Sequence, residues 1–351
     1  NLVFYVYAIK KVRSDSNKRG FEILWYLEMF ISLHHKNPPS LFTMLKSAGR
    51  FIFILRYTKQ YSSPTELLAI LQSRGLDCSD TENAENILRT IGYYRLSGYL
   101  YPFLSFPKTE HLYKSGSTLG CALHLYEFDR EFRLLVFDQI ERIEIAVRSA
   151  ITNIVCAETG DVFWMTRSST FANSEKFNKT MSLVDKELQT NREDFIVHFK
   201  QTYEDSYPPS WMLAEIIPLG TLTRVYENIA NNRIRKKIAR FFGLSVPVFI
   251  SWMTIITLTR NSCCHHARLW NRSLSLRALV MTRPLRPWVG DDVRQGRVFF
   301  TLCILKHFVD IIRPNNHFKQ QLIALLSQYP MVDTSAMGFV KDWQRQPLWK
   351  V

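Results

Sequence analysis

A long helical pattern between residues 122 and 156 constrains the fold of this chain more than any other stretch. Its apolar side chains recur at spacings that fit one face of a helix. They are Leu125, Phe128, Phe132, Leu135, Ile143, Val147, Ile151 and Ile154. On another face, Glu144 and Arg148 lie four residues apart and are expected to pair. The pattern predicts a core helix whose charged face, with Glu141 and Arg142, either meets solvent or looks into a polar site or a dimer contact.

The rest of the chain carries helix signals and no strand alternation. A capping box with Pro at the first helical position begins at Ser63, Gly75 stops that helix, and Pro247 starts an apolar helix that leads to Arg260. Further helices are predicted over residues 80–91, 175–201, 211–226 with a break at Pro218, 234–242, 298–312 and 318–328. Residues 93–103, which interleave tyrosines with one arginine, predict either a turn packed on the core or a base-stacking surface. We expect an all-α fold without a substantial sheet.

The positive charge of the chain is concentrated in two segments. The formal net charge is +14. Residues 1–56 hold nine Lys/Arg and three Asp/Glu, a net of +6, and residues 267–297 hold seven Arg and two Asp, a net of +5, which leaves +3 elsewhere. This balance favours an anionic partner that binds locally and argues against nucleic acid coating the whole surface.

The cysteines and the hydropathy argue against a secreted protein and a membrane protein. The six cysteines show neither C-x-x-C spacing nor the density of a disulfide scaffold. The uncharged apolar stretch from Gly243 to Thr259 is seventeen residues long and carries Pro247, which favours a buried core helix over a membrane span. The first residues place their basic side chains after the apolar ones, so no signal peptide is predicted. We expect a cytoplasmic protein without a membrane partner.

Residues capable of catalysis or ligand binding are concentrated between Arg260 and Arg272, in the sequence RNSCCHHARLWNR. Cys263, Cys264, His265 and His266 are all zinc-ligand types, but neighbouring side chains diverge and structural zinc sites use gaps of about two to four residues. Cys264 beside His265 is a candidate nucleophile, although no third group that orients the histidine is identifiable. A polar patch without function at the end of a core helix is the plainest alternative.

Metal-independent RNA cleavage is the remaining chemistry for this stretch. A histidine can take the proton of a ribose 2′-hydroxyl, which then attacks the adjacent phosphate. An arginine can clamp that phosphate and stabilise the charge that grows on it. An asparagine can hold either group in position. Arg260, Asn261 and His265 supply these three roles without a metal or cofactor.

Helix geometry adds a constraint on that chemistry. At about 100° per residue, Asn261 and His265 share one face, whereas Arg260 lies about 140° from His265. One regular helix therefore does not point Arg260 and His265 at the same phosphate. Either the helix is distorted there or a second copy of the chain completes the site across a two-fold axis, which predicts a homodimer.

Four ordered segments of the chain resemble bacterial abortive infection proteins of the AbiD/AbiF-like group in the HEPN (higher eukaryotes and prokaryotes nucleotide-binding) superfamily. The segments are Ile91 to Phe103 (IGYYRLSGYLYPF), Leu125 to Arg148 (LYEFDREFRLLVFDQIERIEIAVR), Arg260 to Arg272 (RNSCCHHARLWNR) and Met337 to Trp349 (MGFVKDWQRQPLW). The third contains the R-x4-H signature of the superfamily. The likeness covers roughly residues 57–349, and four motifs in order are more specific than R-x4-H alone.

The resemblance implies an HEPN-type helical bundle with additional helices, a dimer that apposes two R-x4-H motifs, and an RNase toxin that acts in phage defence. It implies Arg260, Asn261 and His265 as catalytic residues and His266 as a supporting residue. Further candidates for supporting or substrate-binding roles are Arg268, Arg272, Glu141 and Arg142. His266 matches a second histidine that is usual in the family. Cys264 stands where the family generally has Ala, a small-for-small change.

The predicted organisation has three parts. Residues 1–56 form an N-terminal extension outside the fold, residues 57–330 form the helical domain with an insertion-like segment at 157–209, and residues 331–351 form a tail that packs on the domain. The expected partners are an RNA substrate and a second copy of the chain, with an antitoxin protein or RNA as a further candidate. The rival function is a non-catalytic RNA-binding or regulatory dimer module that uses the same residues.

Overall fold

The computed structural model describes residues 42–47, 50–55, 60–79, 83–274 and 276–350. The chain divides into two compact units, residues 1–63 and residues 64–351. Most of the predicted N-terminal extension, residues 1–41, lies outside the described residues.

In the first unit, two strands form an antiparallel hairpin. Strand β1 (Phe42–Ser47) pairs with β2 (Arg50–Leu55), in a register that sets Phe42 opposite Leu55 and Ser47 opposite Arg50. No strand was predicted there. The period-two rule misses β2 because its sequence, RFIFIL, is a continuous run of aromatic and branched residues rather than an alternation of apolar and polar ones.

The described part of the second unit is built from α-helices and short 3₁₀ turns, so the predicted all-α fold is confirmed. Its helices are α1 (Pro64–Ser73), α2 (Ala84–Thr90), α3 (Tyr93–Leu100), α4 (Leu119–Thr159), α5 (Ser174–Thr190), α6 (Asp194–Thr202), α7 (Ser210–Ile216), α8 (Leu219–Asn228), α9 (Asn232–Phe241), α10 (Val246–Cys264), α11 (Val298–Ile312) and α12 (Phe318–Gln328).

Helix α4 is the predicted core helix, and at 41 residues it contacts α3, α7, α9, α10, α11 and α12. It begins where the Thr118 hydroxyl accepts a hydrogen bond from the amide of Cys121, and it ends at Gly160 in the left-handed conformation. Phe128 and Phe132 stack on its buried face with ring centroids 5.6 Å apart. Because most other helices of this unit pack against α4, this helix fixes where the end of α10 lies.

Helix α10 is buried along most of its length, as its apolar sequence predicts. Trp252 is fully buried, stacks on Trp288 at 4.9 Å, and donates its indole N–H to the carbonyl of Leu279 at 2.8 Å. These contacts tie the Arg- and Pro-rich segment 276–297, which contains no helix, to the core. Among the described residues, no single helix has the length and apolar character needed to cross a membrane, and α9 with α10 qualify only as a pair bent by 62°.

Three local features differ from the sequence expectations or extend them. Residues 93–100 form helix α3 instead of a turn, although Tyr99 and Leu100 do pack into the core. The helix predicted at 175–201 is two helices, α5 and α6. In the C-terminal tail, Trp343 and Trp349 are buried beside Phe299 of α11.

Candidate functional site at the end of helix α10

Helix α10 ends inside the R-x4-H stretch with a two-bond closure. The amide of His266 donates to the carbonyl of Cys263 at 3.1 Å, and the amide of Ala267 donates to the carbonyl of Ser262 at 2.8 Å. This is the Schellman pattern, which needs a left-handed residue and most often uses glycine. Here His266 takes that conformation, with φ of 55°. The sequence thus places a histidine at a strained position that fixes where the chain leaves the helix.

The helix stays regular up to this closure. Cys264 is its last residue, and the amide of His265 still donates to the carbonyl of Asn261 at 3.0 Å. Distortion between Arg260 and Cys264, one of the two ways to bring Arg260 and His265 together, is therefore not observed. Asn261 and His265 are both exposed, and their side chains have no hydrogen-bond partner within the part of the chain that the structure describes.

Arg260 lies against helix α4 and is partly exposed to solvent. Its Nε atom lies 3.7 Å from a carboxylate oxygen of Glu144, and 36 % of its side chain is exposed. Glu144 also accepts a hydrogen bond from Arg148, so the predicted pairing of Glu144 with Arg148 is confirmed. Two arginines thus share one carboxylate, and the cluster keeps a net positive charge.

Arg148 has little freedom in this cluster. Its guanidinium is buried and donates to the carbonyls of Ala214 and Ile217 as well as to Glu144. The fixed guanidinium of Arg148 therefore holds the carboxylate of Glu144 in place. Arg260 is the member of the cluster whose remaining N–H groups are accessible to a ligand.

A buried aspartate on α4, Asp129, anchors the loop that follows the closure. Its carboxylate accepts hydrogen bonds from the backbone amides of Leu269 and Trp270, from the Tyr99 hydroxyl at 2.6 Å, and from Arg133. Burial raises the pKa of Asp129, and the hydrogen bonds from Tyr99 and Trp270 act in the opposite direction. Three of the four family-like segments therefore meet at one side chain.

Helix α3 is joined to the same loop by two arginines. Arg95 donates to the carbonyl of His266 at 2.6 Å, and Arg268 donates to the carbonyl of Gly98 at 2.7 Å. Arg268 also lies over the ring of Trp270, with its guanidinium carbon 5.9 Å from the ring centroid. These bonds hold the backbone of His266 between α3 and α10.

The other predicted supporting residues lie at different places. Arg272 donates to the Ser262 hydroxyl at 2.7 Å and so braces the end of α10. Arg142 pairs with Asp138 on its own helix at 3.0 Å, and Glu141 is exposed. Within the described residues, neither Glu141 nor Arg142 is hydrogen bonded or paired to the stretch 260–272.

Cysteine chemistry and a metal site find little support in this geometry. The candidate nucleophile Cys264 is partly buried, and its thiol is not hydrogen bonded to His265 among the described residues. Burial raises the pKa of its neighbour Cys263 to about 12, which keeps that thiol protonated at neutral pH and makes it a poor nucleophile. In the part of the chain that the structure describes, no group of three or more His, Cys, Asp or Glu is placed to hold a metal ion.

Sequence reasoning missed two residues that organise the site, Asp129 and Arg95. Asp129 lies on the apolar face of α4, between Leu125 and Phe132, where a charged residue is costly unless it is hydrogen bonded. A carboxylate on such a face, four residues before Arg133, was the available signal. No sequence signal linked Arg95 to the carbonyl of His266.

Comparison with known proteins identifies one family. Residues 86–271, slightly more than half of the chain, match the model of the Abi-like protein family. The matched range runs from within α2 to Asn271, and so includes the three segments that meet at Asp129 except for the last residue of the third, Arg272. No curated protein and no solved structure matches the chain.

Proposed function

This chain belongs to the Abi-like protein family, and from that premise we propose that it is a metal-independent endoribonuclease of abortive infection that works as a homodimer. Membership supports a role in abortive infection, the bacterial response to phage. The observation that carries the finer proposal is the end of α10, where Asn261 and His265 are exposed beside an Arg260 held in a net positive cluster.

His265 is the proposed general base or acid. As base, its imidazole takes the proton of a ribose 2′-hydroxyl, a new bond forms from the 2′-oxygen to phosphorus, and the bond from phosphorus to the 5′-oxygen breaks. The 5′-oxygen leaves with a proton supplied by water. The products are a 2′,3′-cyclic phosphate and a free 5′-hydroxyl.

Arg260 is the proposed group that binds the phosphate. Charge increases on the non-bridging oxygens during the attack, and a guanidinium that donates two N–H groups stabilises it. Glu144 is a positioning residue, because it holds Arg260 without cancelling the charge of both arginines. Asn261, on the same face as His265, is free to bind the phosphate or the ribose.

A second copy of the chain completes the proposed site. Arg260 turns toward α4 while His265 is exposed, and the helix between them is regular. One chain therefore offers the two groups in different directions. A two-fold axis beside this end of α10 brings Arg260 of one copy toward His265 of the other.

Cleavage in the presence of EDTA tests the reaction. Purified protein is expected to cut labelled RNA and to leave 2′,3′-cyclic phosphate ends, and His265→Ala is expected to abolish cleavage while leaving the circular dichroism unchanged. Cleavage that needs added metal, or that survives the substitution, contradicts the proposal. Salt-dependent RNA binding by both proteins without cleavage by either identifies the rival, a non-catalytic RNA-binding module.

Complementation tests the shared site. Arg260→Ala and His265→Ala are each expected to be inactive, but the mixed dimer contains one composite site with an intact arginine and an intact histidine. Activity should therefore return when the two variants are unfolded and refolded together. If the mixture stays inactive while both variants form dimers, Arg260 and His265 act within one chain.

A further inference from the structure

Helix α9 presents a strongly basic face at the opposite end of α10. Its ten residues, NRIRKKIARF, include five Lys/Arg and no Asp/Glu. Ile234, Ile238 and Ala239 are buried against the core, so the cations are left on the outer surface. Neither of the two basic segments recognised in the sequence includes this helix.

Part of this charge is neutralised by neighbouring groups. Glu158 at the end of α4 accepts a hydrogen bond from Lys237 at 2.6 Å and lies 4.0 Å from Arg233. Arg235 donates to the backbone carbonyl of Glu227. These three cations therefore have roles within the fold.

Lys236 and Arg240 have no such role. Both are exposed, and neither side chain has a hydrogen-bond or ion-pair partner among the residues that the structure describes. They lie four residues apart on the same helix face, where like charges repel each other at a cost of about 0.2–0.5 kcal/mol. No acidic side chain among the described residues pairs with either cation to offset this cost, whereas a bound anion would.

The two cations border a cavity in the surface of about 390 Å³. Its other walls come from Asn232 at the start of α9, from Leu244 and Ser245, and from Val246 and Pro247 at the start of α10. Phe241, 56 % exposed, follows Arg240 directly. A positively charged concavity with a neighbouring aromatic ring suits a phosphate backbone with attached bases.

The distance from the Lys236–Arg240 pair to the R-x4-H stretch can be compared with the length of a single RNA strand. Helix α10 has 19 residues and so spans about 28 Å at roughly 1.5 Å per residue. At about 3.4 Å per nucleotide of a stacked strand, that corresponds to roughly eight nucleotides. A strand held at Lys236 would therefore pass His265 several nucleotides away.

We propose that Lys236 and Arg240 bind the phosphate backbone of the RNA substrate several nucleotides from the bond that is cut. The proposal rests on the proposed function for the identity of the ligand. It predicts that substrate length matters, since an RNA of about four nucleotides cannot reach both places.

RNA binding by full-length protein that carries His265→Ala tests this without cleavage. Adding Lys236→Ala and Arg240→Ala should weaken binding of an RNA of about twelve nucleotides by about tenfold. It should also lower the slope of log K against log salt by about 1.4, since each phosphate contact to a single strand contributes about 0.7. Binding of an RNA of about four nucleotides should not change.

The matched control is Lys341→Ala with Arg345→Ala. These residues are also one Lys and one Arg, four apart and exposed, but they lie in the C-terminal tail. Loss of affinity in the α9 variant alone, and for the long RNA alone, supports the proposal. Equal losses in both double variants, equal losses for both RNA lengths, or no loss at all would overturn it.

The outcome separates this proposal from the proposed function. If the variant with Lys236→Ala and Arg240→Ala cuts long RNA as efficiently as wild type, only the proposed role of the basic pair is refuted. Protein that never cuts RNA, but loses long-RNA binding in the α9 variant, refutes only the endoribonuclease. Wild-type protein that binds no RNA refutes both.

Discussion

The end of helix α10 and the loop that follows it use their polar groups in opposite ways. In the loop, the amides of Leu269 and Trp270 are bonded to the buried Asp129. At the helix end, the side chains of Asn261 and His265 are exposed and have no partner among the described residues. Saturated groups stabilise a fold, whereas unsatisfied exposed groups are available to a ligand. The comparison indicates that the loop contributes stability, and it supports the proposed chemistry at the helix end.

Replacement of Asp129 should have the largest effect on stability. Asp129→Ala leaves the charge of Arg133 buried without its partner and removes the acceptor of two backbone amides, so we expect a loss of about 3–5 kcal/mol in the free energy of unfolding. Urea denaturation followed by circular dichroism measures it. His265→Ala should change the same quantity by less than about 0.5 kcal/mol.

The same helix provides a matched control for this prediction. Asp138 pairs with Arg142 four residues later, as Asp129 does with Arg133, but the Asp138 pair is about 40 % exposed on both sides. Asp138→Ala should therefore cost at most about 1 kcal/mol. If the two aspartates have equal effects, the buried carboxylate does not anchor the loop.

Glu144 connects the two regions, because it contacts Arg260 and is fixed by Arg148. Glu144→Gln keeps an acceptor for Arg148 but removes the charge that positions Arg260. A misplacement of about 1 Å in a site costs on the order of 100-fold in rate, so we expect cleavage to fall by roughly tenfold to a hundredfold. Single-turnover cleavage of labelled RNA measures this effect.

Two results would separate positioning from a structural role of Glu144. Glu144→Gln leaves the buried Arg148 without an opposite charge, so the midpoint of urea denaturation should fall, and cleavage is therefore compared under conditions where circular dichroism shows both proteins folded. Glu127→Gln, a change at an exposed carboxylate of the same helix, should leave cleavage unaffected. Equal cleavage by wild type and Glu144→Gln would show that Arg260 does not depend on this pair.

The fold was predictable where local signals and burial agreed. The apolar stripe of α4 and the proline-initiated α10 both formed as helices close to the expected bounds. Helix α3 was missed because its tyrosines and Gly98 are weak helix formers, and tertiary bonds from Arg268 and Tyr99 hold it. Strands β1 and β2 were missed because an unbroken apolar run does not distinguish strand from helix.

The site was predictable only in the part that is local in sequence. The spacing of Arg260 and His265 predicted that one regular helix turns them apart, and α10 is regular from Arg260 to Cys264. The bond from Tyr99 to Asp129 joins residues 30 positions apart, and the bonds from the Leu269 and Trp270 amides to Asp129 span 140 and 141 positions. Such long-range bonds have no periodic signature, so only the three-dimensional structure reveals that the motifs share one anchor.

A buried histidine gives a pH prediction that concerns the scaffold alone. His307 on α11 is bonded through Nε2 to the carbonyl of Phe242, and burial lowers its pKa below the usual 6.5. Below pH 6.5 the unfolded chain therefore takes up a proton that the folded chain does not. Stability should fall as the pH drops through 6.5 toward the folded pKa, by at most about 1.4 kcal/mol per pH unit.

Comparison with His307→Gln isolates this contribution of His307. The variant removes the titrating group, so the difference in unfolding free energy between wild type and variant should depend on pH only between the folded pKa and about 6.5. Urea titrations at several pH values from 5 to 8 would give that difference. A difference that does not vary with pH would mean that His307 is not kept neutral by burial.

His266 should show the smallest effect and sharpens the comparison most, because it lies where the helix end meets the loop. Its φ of 55° costs a non-glycine residue about 1 kcal/mol or more, while glycine loses more chain entropy on folding. His266→Gly should therefore raise the free energy of unfolding by about 0.5 kcal/mol, because the relief of strain exceeds the entropy that glycine loses. His266→Ala keeps the strain and should not stabilise. If both variants still cut RNA, the role of His266 is to close the end of α10. If both lose cleavage while their free energies of unfolding change as expected, the imidazole of His266 takes part in the reaction together with Asn261 and His265.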